Sequence, residues 1–443
     1  MNILLTSTLV IISIIAIIVL TSTLKLKAFI ALFLVSLFLA FATLPANTIV
    51  STIKEGFGNT MASIGFLIIL GAIIGITLDK TGGTLSIARY ILSKTGENRS
   101  APALGITGFL TGLPIFCDSG FIILSGLAKS FSSKSKLAMP FMATVLASSL
   151  YSVHCLIPPH PGALAAAGVM QVNIGYLILI GTLFAIPGAM AAYFWSKWMT
   201  KGKNYLPAKE IEADTQTTPD KLPSAFLSFL PIVVPLLLIT FKSLSNLIDI
   251  SGESQISKLF FFPGEPIFAL SIGVVLAMFL LKEKTISSMN SVFSEAIEKA
   301  GPILIVTAAG GMFGMVIKAT GIGMEMGKIL AGTSIGLVVP FLIAVIMKTA
   351  QGSSTVAIIT TASFVAPMLS VLGLESEWGR LLVMLSMGAG SMMVSHANDS
   401  YFWVVSNFSD IEPDTTLKVY SSSTIVMGMV VFACVWITSI MVL

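Results

Sequence analysis

Charge is scarce in this sequence: Asp, Glu, Lys and Arg together make up 10% of 443 residues, against 55% hydrophobic. Soluble domains carry about 25% charged residues, so a compact soluble body, which needs a polar surface, is excluded. Cysteine is also sparse. Cys117, Cys155 and Cys434 are odd in number and show no C-x-x-C spacing, which excludes a disulfide framework, a zinc site or a redox pair. There is no run of Lys and Arg and no basic patch interleaved with aromatics, so nucleic acid is not a partner. The longest polar stretch, Thr200 to Pro223, is too short to fold as a catalytic domain. H-E-x-x-H does not occur, so the sequence calls for no metal and no cofactor, and an intramembrane hydrolase is a distant reading.

What the chain has instead is apolar length, with a mean hydropathy of +0.95. At roughly 20 residues per crossing, the apolar runs predict an all-α polytopic membrane protein. Its spans are expected near 3–22, 25–44, 61–78, 138–153, 174–196, 224–241, 264–281, 301–317, 380–395 and 421–442. The opening run MNILLTSTLVIISIIAIIVL has no basic stretch before it and no small-residue cleavage site, which reads as a retained first helix. Two further runs, 102–128 and 337–370, are too long for one helix and are broken by small polar residues at Cys117-Asp118-Ser119-Gly120 and Gln351-Gly352-Ser353-Ser354-Thr355. Each reads as a re-entrant hairpin of two half-helices. The 37 Gly and 19 Pro fit helices that pack closely or unwind around a cavity. That favours transport over anchoring, and a simple channel is the weaker alternative.

Lys and Arg fall mainly on one side of this plan, in clusters such as Lys25 and Lys27, Lys129 to Lys136, Lys197 to Lys203, and Lys282 and Lys284. The positive-inside rule then puts both termini outside. The halves also match each other. GAIIGITLDKTGG aligns with GGMFGMVIKATGI, pairing Gly75 with Gly314, Thr81 with Thr320 and Gly82 with Gly321, and the stretch around His154 aligns with the one around His396. An odd number of crossings per half inverts the second half, which is the inverted-repeat plan of secondary transporters, with substrate held at broken helices near the midplane. The expected division is a scaffold of 1–98 and 224–334, a transport domain of 99–199 and 335–443, and a cytoplasmic linker within 200–223.

All three histidines lie where a span is interrupted: His154 and His160 in HCLIPPHPG, His396 in SHANDS. Prolines there remove backbone donors and end a helix. Asp118 and Asp399 are acids inside apolar segments, where a charged Asp costs about 2.5–3.5 kcal/mol and is usually functional. Asp399 also suits a cap for a half-helix starting near Tyr401. Ser119, Gly120, Ser353, Ser354 and Thr355 stand where half-helices begin, so free N–H groups and the positive dipole end are at hand for a carboxylate. Asn398 and Ser400 add donors and acceptors suited to a polyhydroxylated molecule. Lys348 is a counter-ion for Asp399, a lysine that snorkels outward, or a ligand. Asp118, Asp399 and His154 are the candidate proton carriers.

The hairpin tip PIFCDSGFIIL, the run HCLIPPHPG and the late SHANDSYFW resemble the gluconate permease family of proton symporters, within the ion transporter superfamily. The resemblance spans nearly the whole chain. It implies uptake of a sugar acid with protons across the bacterial inner membrane, a homodimer, and elevator movement of a transport domain against a scaffold. It also implies that Asp118 and Ser119, His154 to Gly162, Ser353 to Thr355 and Ser395 to Ser400 line the site. Gluconate-type members often carry Glu and an apolar residue where this chain has Asp118 and Ser119. That leaves shorter sugar acids and a D-serine-like substrate open beside gluconate, and sodium coupling open beside protons.

Overall fold

The computed structural model describes residues 3–95, 100–113, 115–203, 205–208, 222–247, 262–321, 336–370, 372–397 and 399–443. Asn398 and residues 209–221 of the expected linker lie outside them. The described residues are helical, with no strand among them.

In the first half, α1 (Ile3–Ile18) and α2 (Ala28–Thr43) lead into a long α3 (Ala46–Thr81), then α4 (Gly83–Thr95). Next come α5 (Ser100–Gly112), α6 (Cys117–Ser135), α7 (Met139–Leu156), α8 (Pro161–Met170) and α9 (Ile174–Thr200). In the second half, α10 (Ala225–Leu247) and α11 (Pro266–Met278) lead into a second long helix, α12 (Ile286–Ala319). Then follow α13 (Val338–Gln351), α14 (Ser354–Val365), α15 (Glu377–Ser391) and α16 (Ser400–Phe408), a single turn α17 (Pro413–Thr416) and α18 (Ser422–Val442).

The long helices end alike. Gly82 after α3 and Gly321 after α12 both take the left-handed conformation, at φ 74 and 69, which glycine enters without a Cβ clash. Both helices run well ahead of the apolar stretches 61–78 and 301–317 expected to cross the bilayer. Hydropathy marks only the membrane-buried part of a helix, whereas backbone hydrogen bonding carries the helix on through polar residues such as Lys54, Glu55 and Asn59. There α3 and α12 pack on each other, close enough that a Cβ on Gly56 would sit 2.6 Å from the Gly311 carbonyl oxygen.

Among the described residues, five helical stretches are long and apolar enough to cross a membrane, or six with α3 counted as one span. Shorter apolar helices include α2, α11, α13 and the stretch Ser354–Met368. The apolar run 337–370 is thus two helices that meet at Gly352 and Ser353, and 102–128 divides at 113–116. The sequence did not anticipate α4 or α8 as separate helices.

The core sits around α7 and α15. Every residue of α7 is buried, with the Ser148 and Ser152 hydroxyls donating to carbonyls one turn back, and α15 is buried from Leu381 to Ser391. Both lead into breaks, at 157–160 and 392–399. α9 packs beside α7, α18 beside α15, and α14 against α8 and α12.

Candidate functional site

Local chemistry sets each of these junctions. The chain leaves α7 at extended Ile157, Pro158 and Pro159 follow, and α8 starts at Pro161 with His160 as its N-cap. α13 stops at left-handed Gly352. The Ser353 hydroxyl then accepts the Val356 N–H at 3.3 Å and caps α14. The Asp399 carboxylate accepts the Tyr401 N–H at 3.0 Å and caps α16. α6 begins after Phe116 with no side-chain cap, so Asp118 stands alone in its first turn.

These helix ends converge on one cavity of about 250 Å³. Its polar wall comes from Asp118 on α6, Tyr151 and His154 on α7, Ser353, Ser354 and Thr355 at the start of α14, and Asp399, Ser400 and Tyr401 at the start of α16. Cys117 and Phe116 flank Asp118, while Val356 and Ile359 continue the α14 side. α12 contributes only Pro302, Ile303 and Val306.

The two carboxylates of the wall differ. Asp399 Oδ2 lies 2.5 Å from Lys348 Nζ and accepts the Ser395 hydroxyl at 2.5 Å. Lys348 is fully buried, so it is neither a snorkelling lysine nor part of the cavity wall, and of its expected roles the counter-ion is the one its geometry fits. Asp118 is half-buried, and its Oδ1 is buried without a hydrogen-bond partner. The Cys117 thiol lies 3.9 Å from its Oδ2, a weak contact.

His154 Nε2 lies 3.2 Å from the Thr355 hydroxyl, joining α7 to the start of α14, and its Nδ1 has no partner. The ring of Tyr151 stands 5.4 Å from that of Tyr401, and Tyr401 donates its hydroxyl to the Ala147 carbonyl at 3.0 Å.

The fold therefore brings Asp118, His154, Ser353, Ser354, Thr355, Asp399 and Ser400 together around one space. Four other expected residues stand outside its wall. Ser119 is half-buried on the first turn of α6. Gly120 faces α7, where a Cβ would lie 2.9 Å from a Leu150 methyl. The His160 Nε2–H donates to the Gly112 carbonyl at 2.6 Å and so closes the end of α5. The His396 Nε2–H donates to the Thr349 carbonyl at 3.2 Å, tying the second break to α13.

Sequence reasoning missed Tyr151, Tyr401 and the apolar α12 wall. Tyr151 precedes His154 by one helical turn and so shares its face, a signal that was available. Pro302, Ile303 and Val306 carry no such mark.

A wall of two carboxylates, hydroxyls and an imidazole, set at the ends of broken apolar helices, belongs to a multi-pass membrane transporter and not to an enzyme. The chain belongs to the GntP family permeases, whose family pattern matches residues 4–441. It is similar to the inner membrane permease YgbN of Escherichia coli, 31% identical over 93% of both chains. It is similar also to the Gnt-II system L-idonate transporter of Escherichia coli, at 29% over 89% of this chain and 90% of that one. The gluconate permease of Pseudomonas aeruginosa is 27% identical over 95% and 94%. In fold, the chain resembles the crystal structure of the Alcanivorax borkumensis YdaH transporter, with a TM-score of 0.64 at 12% identity over 93% of this chain and 97% of that one.

Proposed function

We propose that this permease takes up a small hydroxylated carboxylate, gluconate-like or a shorter sugar acid, across the bacterial inner membrane together with a proton. The names of the L-idonate and gluconate relatives support the substrate class. The polar wall supports it as well: hydroxyls of Ser353, Ser354, Thr355 and Ser400 can meet a polyol, and the N–H groups at the start of α14 can meet a carboxylate.

Proton coupling rests on one observation, the unpartnered Oδ1 of Asp118. Asp399 is balanced by Lys348, so Asp118 is the one uncompensated charge in the described wall. A bound monoanion about 5 Å from ionised Asp118 would meet a repulsion of about 3 kcal/mol at an effective dielectric near 20. A proton on Asp118 removes it, so substrate and proton travel together.

The elevator reading, with scaffold 1–98 and 224–334 and transport domain 99–199 and 335–443, is supported by the division of the wall. All its polar residues come from the transport segments, while the scaffold gives only Pro302, Ile303 and Val306. Substrate gripped by one domain slides past an apolar surface of the other. The inverted-repeat reading is supported by the matched order of the halves, with α3, α5–α6, α7–α8 and α9 answering to α12, α13–α14, α15–α16 and α18. A homodimer and outside termini complete the proposal.

With one proton per monoanion, transport is electroneutral. In proteoliposomes an inward proton gradient alone should accumulate gluconate or L-idonate, and a membrane potential alone should not. A potential is worth about 2.3 kcal/mol per charge per 100 mV, so accumulation driven by potential without a pH gradient would overturn this stoichiometry.

A further inference from the structure

Lys348 has no exposed surface, although a lysine can normally reach water along its flexible stem. Its ammonium lies 2.5 Å from Asp399 Oδ2 and 2.8 Å from the Gly352 carbonyl oxygen. It stands 5.7 Å from the centre of the Tyr151 ring. These partners are a carboxylate, a carbonyl at the C-terminal end of the half-helix α13, and an aromatic face, drawn from three segments. Carbonyls at half-helix C-termini carry the negative end of the helix dipole, and at broken helices such groups are the ones that hold coupling cations.

We propose that the Lys348 ammonium fills a monovalent-cation site as a tethered cation, so that substrate binding needs no sodium ion. This rests on the transport reading above and deepens it, since sodium was the rival coupling ion.

Two features favour this role over a purely structural ion pair. A buried pair contributes less than well-packed apolar residues would, so its presence beside the cavity calls for a further reason. The ammonium also holds two wall-forming turns at once. Gly352 precedes Ser353, Ser354 and Thr355, and Asp399 precedes Ser400 while capping α16 through the Tyr401 N–H. Lys348 is thus a positioning residue: it touches no cavity space itself and fixes the groups that do.

Purified protein in sodium-free choline buffer supplies the test, with gluconate and L-idonate as probes and thermal stability as a second readout. Wild-type affinity should be the same in sodium and in choline, and affinity that rises with sodium would overturn the proposal. Lys348→Ala opens the site, and its affinity should fall by about tenfold or more, the loss of one charge-assisted hydrogen bond. Methylammonium or sodium should restore affinity where tetramethylammonium, too large for the gap, does not. The thermal midpoint of substrate-free Lys348→Ala should also rise with methylammonium, because a ligand that binds the folded state stabilises it. Unchanged affinity in Lys348→Ala, or no response to either small cation, would sink the idea. Should the variant aggregate, methylammonium present during extraction must return monodisperse protein, and failure to do so counts against the proposal. If wild type binds neither sugar acid, the substrate reading falls, while the cation response of substrate-free Lys348→Ala still decides this point.

Discussion

Asp118 and Asp399 face the same cavity and are held in opposite ways. Asp399 has an ammonium, a hydroxyl and a backbone N–H on its two oxygens; Asp118 has one oxygen with no partner and a thiol near the other. A carboxylate with both oxygens held by fixed donors is part of the frame. One with a free, desolvated oxygen can accept a proton without breaking anything. Under the coupling proposed above, the frame lies in the second half of the chain and the movable proton in the first, even though both acids sit at interruptions of apolar sequence.

The largest expected effect tests the movable side. Asp118→Asn removes the site of protonation while keeping size and shape, so accumulation against a gradient should be abolished while gluconate or L-idonate binding and protein yield stay near wild type. Wild-type accumulation in this variant would erase the difference between the two acids. The frame side should respond in stability instead. Asp399→Asn leaves Lys348 as an unpaired buried charge, a change that costs about 3–5 kcal/mol, visible as a large drop in thermal midpoint. The pair Lys348→Met with Asp399→Asn should regain most of that loss. A single Asp399→Asn that melts like wild type would show that Asp399 is not held as described.

The smallest effect sharpens the comparison of hydroxyls. Ser354 lines the cavity, whereas the Ser353 hydroxyl is engaged in capping α14. Ser354→Ala should weaken substrate binding by the 0.5–1.5 kcal/mol of one hydrogen bond, roughly two- to tenfold, with no change in melting. An unchanged affinity would place Ser354 outside the contact surface.

A second contrast runs through the cavity wall. The polar side comes from α6, α7, α14 and α16, while α12 offers three apolar residues, Pro302, Ile303 and Val306. The polar side was readable in sequence because acids, histidines and Ser/Thr clusters stand out against apolar surroundings. The α12 side was not, since Ile303 and Val306 look like any other lipid-facing or packed residues until a neighbour is known. The same limit explains the helix bounds. Hydropathy placed the apolar parts of α3 and α12 but could not see that each continues for several turns outside them, where packing between the two helices stabilises polar stretches. His160 and His396 were also legible as members of a cluster at the breaks, yet the sequence could not tell a cavity histidine from one that closes a helix end. In the fold His154 is the first kind and His160 the second, bonded to Gly112 on α5.

What the sequence determined by itself is the solvent and the interruptions. The scarcity of charge commits the chain to a membrane, Pro158, Pro159 and Gly352 stand where α7 and α13 stop, and both follow from local physics: transfer free energy and backbone sterics act on each segment without reference to the others, although Pro187, Pro231, Pro235 and Pro302 sit inside helices. What the tertiary structure decided is which polar groups are compensated. Lys348 and Asp399 are 51 residues apart, and Asp118 lies farther off still; only packing of α6, α7, α13 and α16 determines that the lysine meets one acid and leaves the other with a free oxygen. Electrostatic pairing depends on distances of a few ångströms across the fold, and those distances exist only once the helices have packed.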